Sequence, residues 1–147
     1  MSFYSEISND PVMRSRFHTF HTIAPLGDKH YQVTMTGVIL IDRHGASQDW
    51  KKERVEIQLE LPKYFLPKGK VFELKSAAPF ITINAIYNQE HAVNAGWSVD
   101  DFGFKVPNGK KMDDCAEIWA DIAIRDADSC IYSIGYTLTL VGFEADL

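Results

Sequence analysis

Apolar and polar residues alternate with period two along most of this chain, most clearly over residues 115–143. Ile118, Ala120, Ile122 and Ile124 alternate with Glu117, Trp119, Asp121 and Arg125. After residues 126–129 a second run follows, with Tyr132, Ile134, Tyr136, Leu138 and Leu140 on one parity. Alternation over this length predicts strands, and the polar break predicts a hairpin. A short loop at Ala127, Asp128 and Ser129 pairs Ile124 with Tyr132, Ile122 with Ile134, Ala120 with Tyr136 and Ile118 with Leu138. A slip of one residue would set an apolar face against a polar one, so the pattern selects this register or the next of the same parity. The other face of the hairpin then carries Glu117, Trp119 and Asp121 beside Thr139, Thr137 and Gly135.

The rest of the chain is punctuated in the same way. Residues 17–23 alternate and stop at Pro25, Gly27 and Asp28. Residues 30–41 form a long strand, and its apolar residues on both parities (Val38, Ile39, Leu40, Ile41) predict cover on both faces. Gly37 within it suggests a bulge. Residues 42–52 read as a polar loop. Residues 54–61 put Val55, Ile57, Leu59 and Leu61 inward, and Pro62 and Pro67 bracket a corner. Further strands are expected at 71–74, 80–87, 93–99 and 102–106, with turns at 88–91 and at Asp100 and Asp101 and a polar loop over 107–114. Residues 1–16 are read as an arm or a short helix opening at Pro11, and residues 17–147 as one domain. Eight or nine strands with little helix predict an all-β protein: an antiparallel β-sandwich, jelly-roll-like, with a closed β-barrel as the alternative.

Composition narrows the partners. The chain has 147 residues, of which 46% are hydrophobic, enough for a substantial core. Its net charge of −5 argues against nucleic acid, which needs a basic face. No run approaches the roughly 20 apolar residues of a membrane crossing. Residues 1–16 lack the charged-then-apolar pattern of a secretory signal. A cytoplasmic protein without a membrane partner is expected. Cys115 and Cys130 fall at opposite ends of the predicted hairpin, too far apart for a disulfide, whose Cα atoms lie within about 7 Å. Two unpaired thiols suit a reducing compartment.

Candidate chemistry is sparse. His18 and His21 fall on opposite faces of a strand, and His30, His44 and His91 are scattered, so no histidine metal site is expected. Asp100, Asp101, Asp113, Asp114, Asp126 and Asp128 lie in predicted loops and leave calcium as the one ion to consider, without the spacing of a calcium loop. No other cofactor is expected. Glu56 and Glu60, like Glu117 and Asp121, are about 13 Å apart along a strand at ~3.4 Å per residue, beyond the ~5–9.5 Å of a hydrolytic carboxylate pair. No nucleophile elbow or phosphate-binding glycine loop is present.

Surfaces remain. Trp119, with Glu117, Asp121, Thr137 and Thr139 around it, has the composition of a patch that stacks on a sugar or a protein partner. The competing reading has Trp119 covered by another strand or loop. Trp50 is expected to pin a loop, and Trp97 to join the core. Leu138, Leu140, Val141 and Phe143 make the last strand apolar on both parities, and a second subunit would cover the outer side. The leading expectation is therefore a non-enzymatic binding or assembly module that self-associates, its partner itself or another protein. A lectin-like carbohydrate-binding domain is the second, and a small enzyme with a site built from distant loops the third.

Overall fold

The computed structural model describes residues 17–62, 64–89, 92–112 and 115–147. Eight strands run in order: β1 (Phe17–Gly27), β2 (His30–His44), β3 (Trp50–Glu60), β4 (Lys70–Asn88), β5 (Gly96–Lys105), β6 (Lys111–Met112), β7 (Cys115–Arg125) and β8 (Ser129–Asp146). They form two antiparallel sheets, one ordered β1-β2-β8-β4-β6 and the other β3-β7-β5. The all-β sandwich expected from the alternation is what forms, and the sheets do not close into a barrel. The pairings β2 with β8, β3 with β7 and β4 with β6 are nested, so the chain is one long antiparallel ribbon with β5 near its tip. Rolling that ribbon inserts β8 between β2 and β4 and β7 between β3 and β5, which is jelly-roll connectivity.

The core lies between the sheets. Met35, Ile39, Ile134 and Leu138 from the large sheet meet Ile57, Ile118, Ile122 and Ile124 from the small one, and each is at most 1% exposed. Each such side chain contributes roughly 1.5–3 kcal/mol by leaving water. The smaller sheet cannot cover the whole inner face of the larger one. The connection over residues 61–69 extends the cover with aromatics: Tyr64 packs on His21 (ring centroids 5.5 Å apart), and Phe65 packs on Tyr31 (5.0 Å) and Phe72 (6.1 Å).

Several local expectations are corrected. The predicted hairpin of residues 115–143 does not pair with itself: β7 and β8 lie in different sheets and face each other across the core. Both strands still point the expected residues inward, because strands facing each other across a core need the same alternation as strands side by side. The crossing is built at Asp126, which has a left-handed φ of 82° and is 1% exposed. Its carboxylate accepts the backbone N–H of Val93 (2.9 Å), Asn94 (3.0 Å) and Asp128 (3.0 Å) and the side-chain amide of Gln48 (3.4 Å), so one side chain ties the corner to two other segments. These N–H groups, that of Asp128 first, hold its carboxyl below the usual range.

Other corrections have local causes. Tyr132 is 42% exposed while Ile131 is buried, because irregularities on both neighbours of β8 shift its phase there. Asp100 and Asp101 are not a turn but a bulge within β5. The expected strands 71–74 and 80–87 are one strand, β4, bent by bulges. Pro79 is tolerated inside it because β6 pairs only with Phe72 and Glu73 and leaves that side of β4 free at Pro79. Gly37 is not a bulge; pairing runs through it. It stands between Thr19 on β1 and Tyr136 on β8, whose hydroxyls bond each other. Burial pushes the Tyr136 phenol up to about 12, and the Thr19 contact opposes this. Part of the loop predicted at 42–52 is strand, since β2 runs to His44 and β3 starts at Trp50. The arm or helix expected over residues 1–16, and His91, Asp113 and Asp114, lie outside the described residues.

Candidate functional site

The outward face of the small sheet carries Trp119. Its register sets Glu56 and Gly103 beside Trp119, Arg54 and Asp101 beside Asp121, and Gln58 and Lys105 beside Glu117. The Trp119 ring lies flat over Gly103, where a Cβ would come within 2.5 Å of a ring carbon. The Arg54 guanidinium stacks on the ring, 3.9 Å from its centroid. The same guanidinium donates two hydrogen bonds to Asp121, of 2.7 and 2.9 Å. That fork holds the Asp121 carboxyl below its usual value and raises Arg54. Lys105 lies 3.8 Å from Glu117. A second unit of the same composition sits at the sheet's end, with the Arg125 guanidinium 4.7 Å from the Trp50 ring and that ring against Gly96.

The outward face of the large sheet is built differently. Reading across β1, β2, β8 and β4, one row is Phe20, Thr36, Thr137 and Phe80. The next is Thr22, Thr34, Thr139 and Ala78, and the next Ala24, Gln32, Val141 and Ser76. None of these twelve is charged. At the chain's overall 24% of charged residues, twelve positions would carry about three. Phe20 is 72% exposed and Phe80 57%.

The sequence-predicted patch is thus divided. Glu117, Trp119 and Asp121 share one face, as expected. Thr137 and Thr139 lie on the far side of the sandwich, because β8 belongs to the other sheet. Trp97 packs against the core, and Trp50 opens β3. Cys115 and Cys130 form no disulfide with each other.

One chemical cluster was not anticipated. Among the described residues, Asp42, His44 and Cys130 are the one set of three His, Cys, Asp or Glu residues whose ligand atoms all lie within 4.8 Å of one another. Nothing in the spacing announces it, since Cys130 stands 88 positions from Asp42. His44 and Cys130 are cross-strand neighbours on β2 and β8. Burial, with the Asp42 carboxylate beside it, pushes the Cys130 thiol up to about 12, so it is no poised nucleophile. Three of the carboxylates named for calcium are engaged elsewhere: Asp126 by backbone N–H groups, Asp100 by the Ser98 hydroxyl, and Asp101 by the N–H of Phe102.

A groove of about 380 Å³ opens between β4 and β5, lined by Leu74, Ala77, Pro79, Phe104 and Val106. Its titratable lining groups are two lysines, Lys75 and Lys110, which make no acid–base pair. No family model, curated protein or solved structure matches this chain.

Proposed function

We propose that this protein is a non-enzymatic assembly module that self-associates through the outward face of its five-stranded sheet. The observation that carries this reading is the lack of charge across that face. Interface centres are depleted in charged residues, whereas a solvated sheet face normally carries them. The occupant is a second copy of the chain. Each copy carries a net charge of −5, so two copies repel over most of their surface, and a contact is least opposed where neither side is charged. Four strands ~4.8 Å apart and three rows ~6.8 Å apart cover roughly 400 Å². Two such faces bury about 800 Å², the size of a weak, reversible contact. A two-fold axis along the strands would set Phe20 of one copy against Phe80 of the other, with small threonines and alanines between.

Light scattering on the purified chain at tens of micromolar tests this. The expected species is a dimer or larger, and Thr137→Lys, at the centre of the face, is expected to be monomeric. A monomeric wild type would overturn the reading. The carbohydrate reading has less to stand on. Both carboxylate oxygens of Asp121 are taken by Arg54, which also covers the Trp119 ring.

A further inference from the structure

We infer that Asp42, His44 and Cys130 form a three-ligand site for a borderline divalent transition ion, zinc first among them, with the fourth position open to water.

The backbone is shaped to bring these three together. The pairing of β2 with β8 breaks between Leu40 and Arg43, and Asp42 sits in that bulge with a φ of 47°. A bulge re-aims a side chain that the pleat would point elsewhere. A left-handed φ is uncommon for a residue other than glycine, though Asp and Asn tolerate it best. The result is that Asp42, two positions before His44, turns back onto the same spot. Its Oδ1 lies 3.1 Å from His44 Nε2 and 3.3 Å from Cys130 Sγ.

All three ligand atoms lie within 4.8 Å of one another, so shifts of a few tenths of an ångström, in side chains of which two are half-exposed, would set them round a shared cation. Ligands bonded at ~2.0–2.3 Å around a tetrahedral centre stand about 3.3–3.8 Å from one another. Thiolate, imidazole and carboxylate together favour a borderline ion, whereas calcium and magnesium want oxygen alone. Three protein ligands leave one position, and it faces water: Cys130 is 1% exposed, but the Asp42 and His44 side chains are 51% and 50% exposed.

A catalytic relay fits less well. A cysteine nucleophile needs the imidazole against the thiol and the carboxylate behind it. Here the carboxylate stands between the other two. An ordinary surface contact would account for Asp42 and His44 alone, but not for a buried thiol donating into the same oxygen.

Titration with Co²⁺, a spectroscopic stand-in for Zn²⁺, tests the site on the full chain. One equivalent is expected to bind with sulfur-to-cobalt charge-transfer absorption, and Zn²⁺ is expected to displace it. Cys130→Ala is expected to abolish that absorption, and Cys115→Ala to leave it intact. His44→Ala and Asp42→Asn are each expected to weaken binding tenfold or more. Both alter half-exposed side chains, and Asn suits the left-handed backbone, so they carry the test even if Cys130→Ala does not fold. Absence of the absorption in wild type, its survival in Cys130→Ala, or unchanged affinity in both His44→Ala and Asp42→Asn would overturn the site.

Discussion

The two outward faces of this sandwich have the same backbone and opposite chemistry. On the small sheet, Arg54, Asp121, Glu117 and Lys105 pair across strands around a stacked Trp119. On the large sheet, three rows of four residues hold no charge, and the largest side chains, Phe20 and Phe80, stand exposed at either end of one row. A face that satisfies its own polar groups is finished as a surface. A face of hydroxyls, small residues and exposed phenylalanines gains from being covered. Glycine marks the same contrast. Gly103 makes room for the Trp119 ring, while a Cβ at Gly135 on the large sheet would meet only ordinary contacts, the nearest at 3.7 Å.

Moving one charge between the faces should separate them most. Thr137→Lys lowers the net repulsion between copies, yet it is expected to weaken self-association at least 100-fold, about 2.7 kcal/mol, because the ammonium would be buried unpaired. Gln58→Lys adds the same charge beside Glu117 and is expected to change the association constant less than twofold. Analytical ultracentrifugation of the two variants reads both. Equal effects would erase the distinction between the faces.

A methyl group gives the next effect. Gly103→Ala forces the Trp119 ring off its seat and is expected to cost about 1–3 kcal/mol in urea unfolding. Gly135→Ala is expected to stay within ~0.5 kcal/mol of wild type. A tolerated Gly103→Ala would mean that the ring is not held flat on the sheet.

The smallest effect is electrostatic. The folded Asp121 carboxyl titrates below its ordinary value because Arg54 bonds the charged form. Its contribution is therefore complete above pH ~4, the unfolded value, and is lost as the pH falls through the folded one. Asp121→Asn should melt slightly below wild type at neutral pH, and the gap should close in acid and shrink in 1 M salt. A gap unchanged by either would assign it to packing. Thr137→Asn, at an uncharged position, is expected to give no pH-dependent gap.

Much of the fold was legible in the alternation. Val55, Ile57, Leu59, Ile118, Ile122 and Ile124 point inward as their parity demands, and all are buried. Asp100 and Pro79 misled because a bulge and a free strand side admit residues that usually end strands. The candidate patch was half legible. Glu117, Trp119 and Asp121 share a face because they share a strand, but their grouping with Thr137 and Thr139 assumed a pairing that does not form. The Asp42–His44–Cys130 cluster had no local signature at all.

The amino-acid order alone determined which side of each strand is buried, since side chains two apart must share a face and water sorts the faces. It also determined that this is an all-β chain with a net charge of −5. Only the tertiary structure decided which strands are neighbours. β7 and β8 carry the same apolar parity whether they lie side by side or face each other across the core, so alternation cannot distinguish the two. Asp126, bonded to backbone remote in sequence, turns the chain from one sheet into the other. From that turn follow the separation of Trp119 from Thr137, the uncharged face and the meeting of Cys130 with His44.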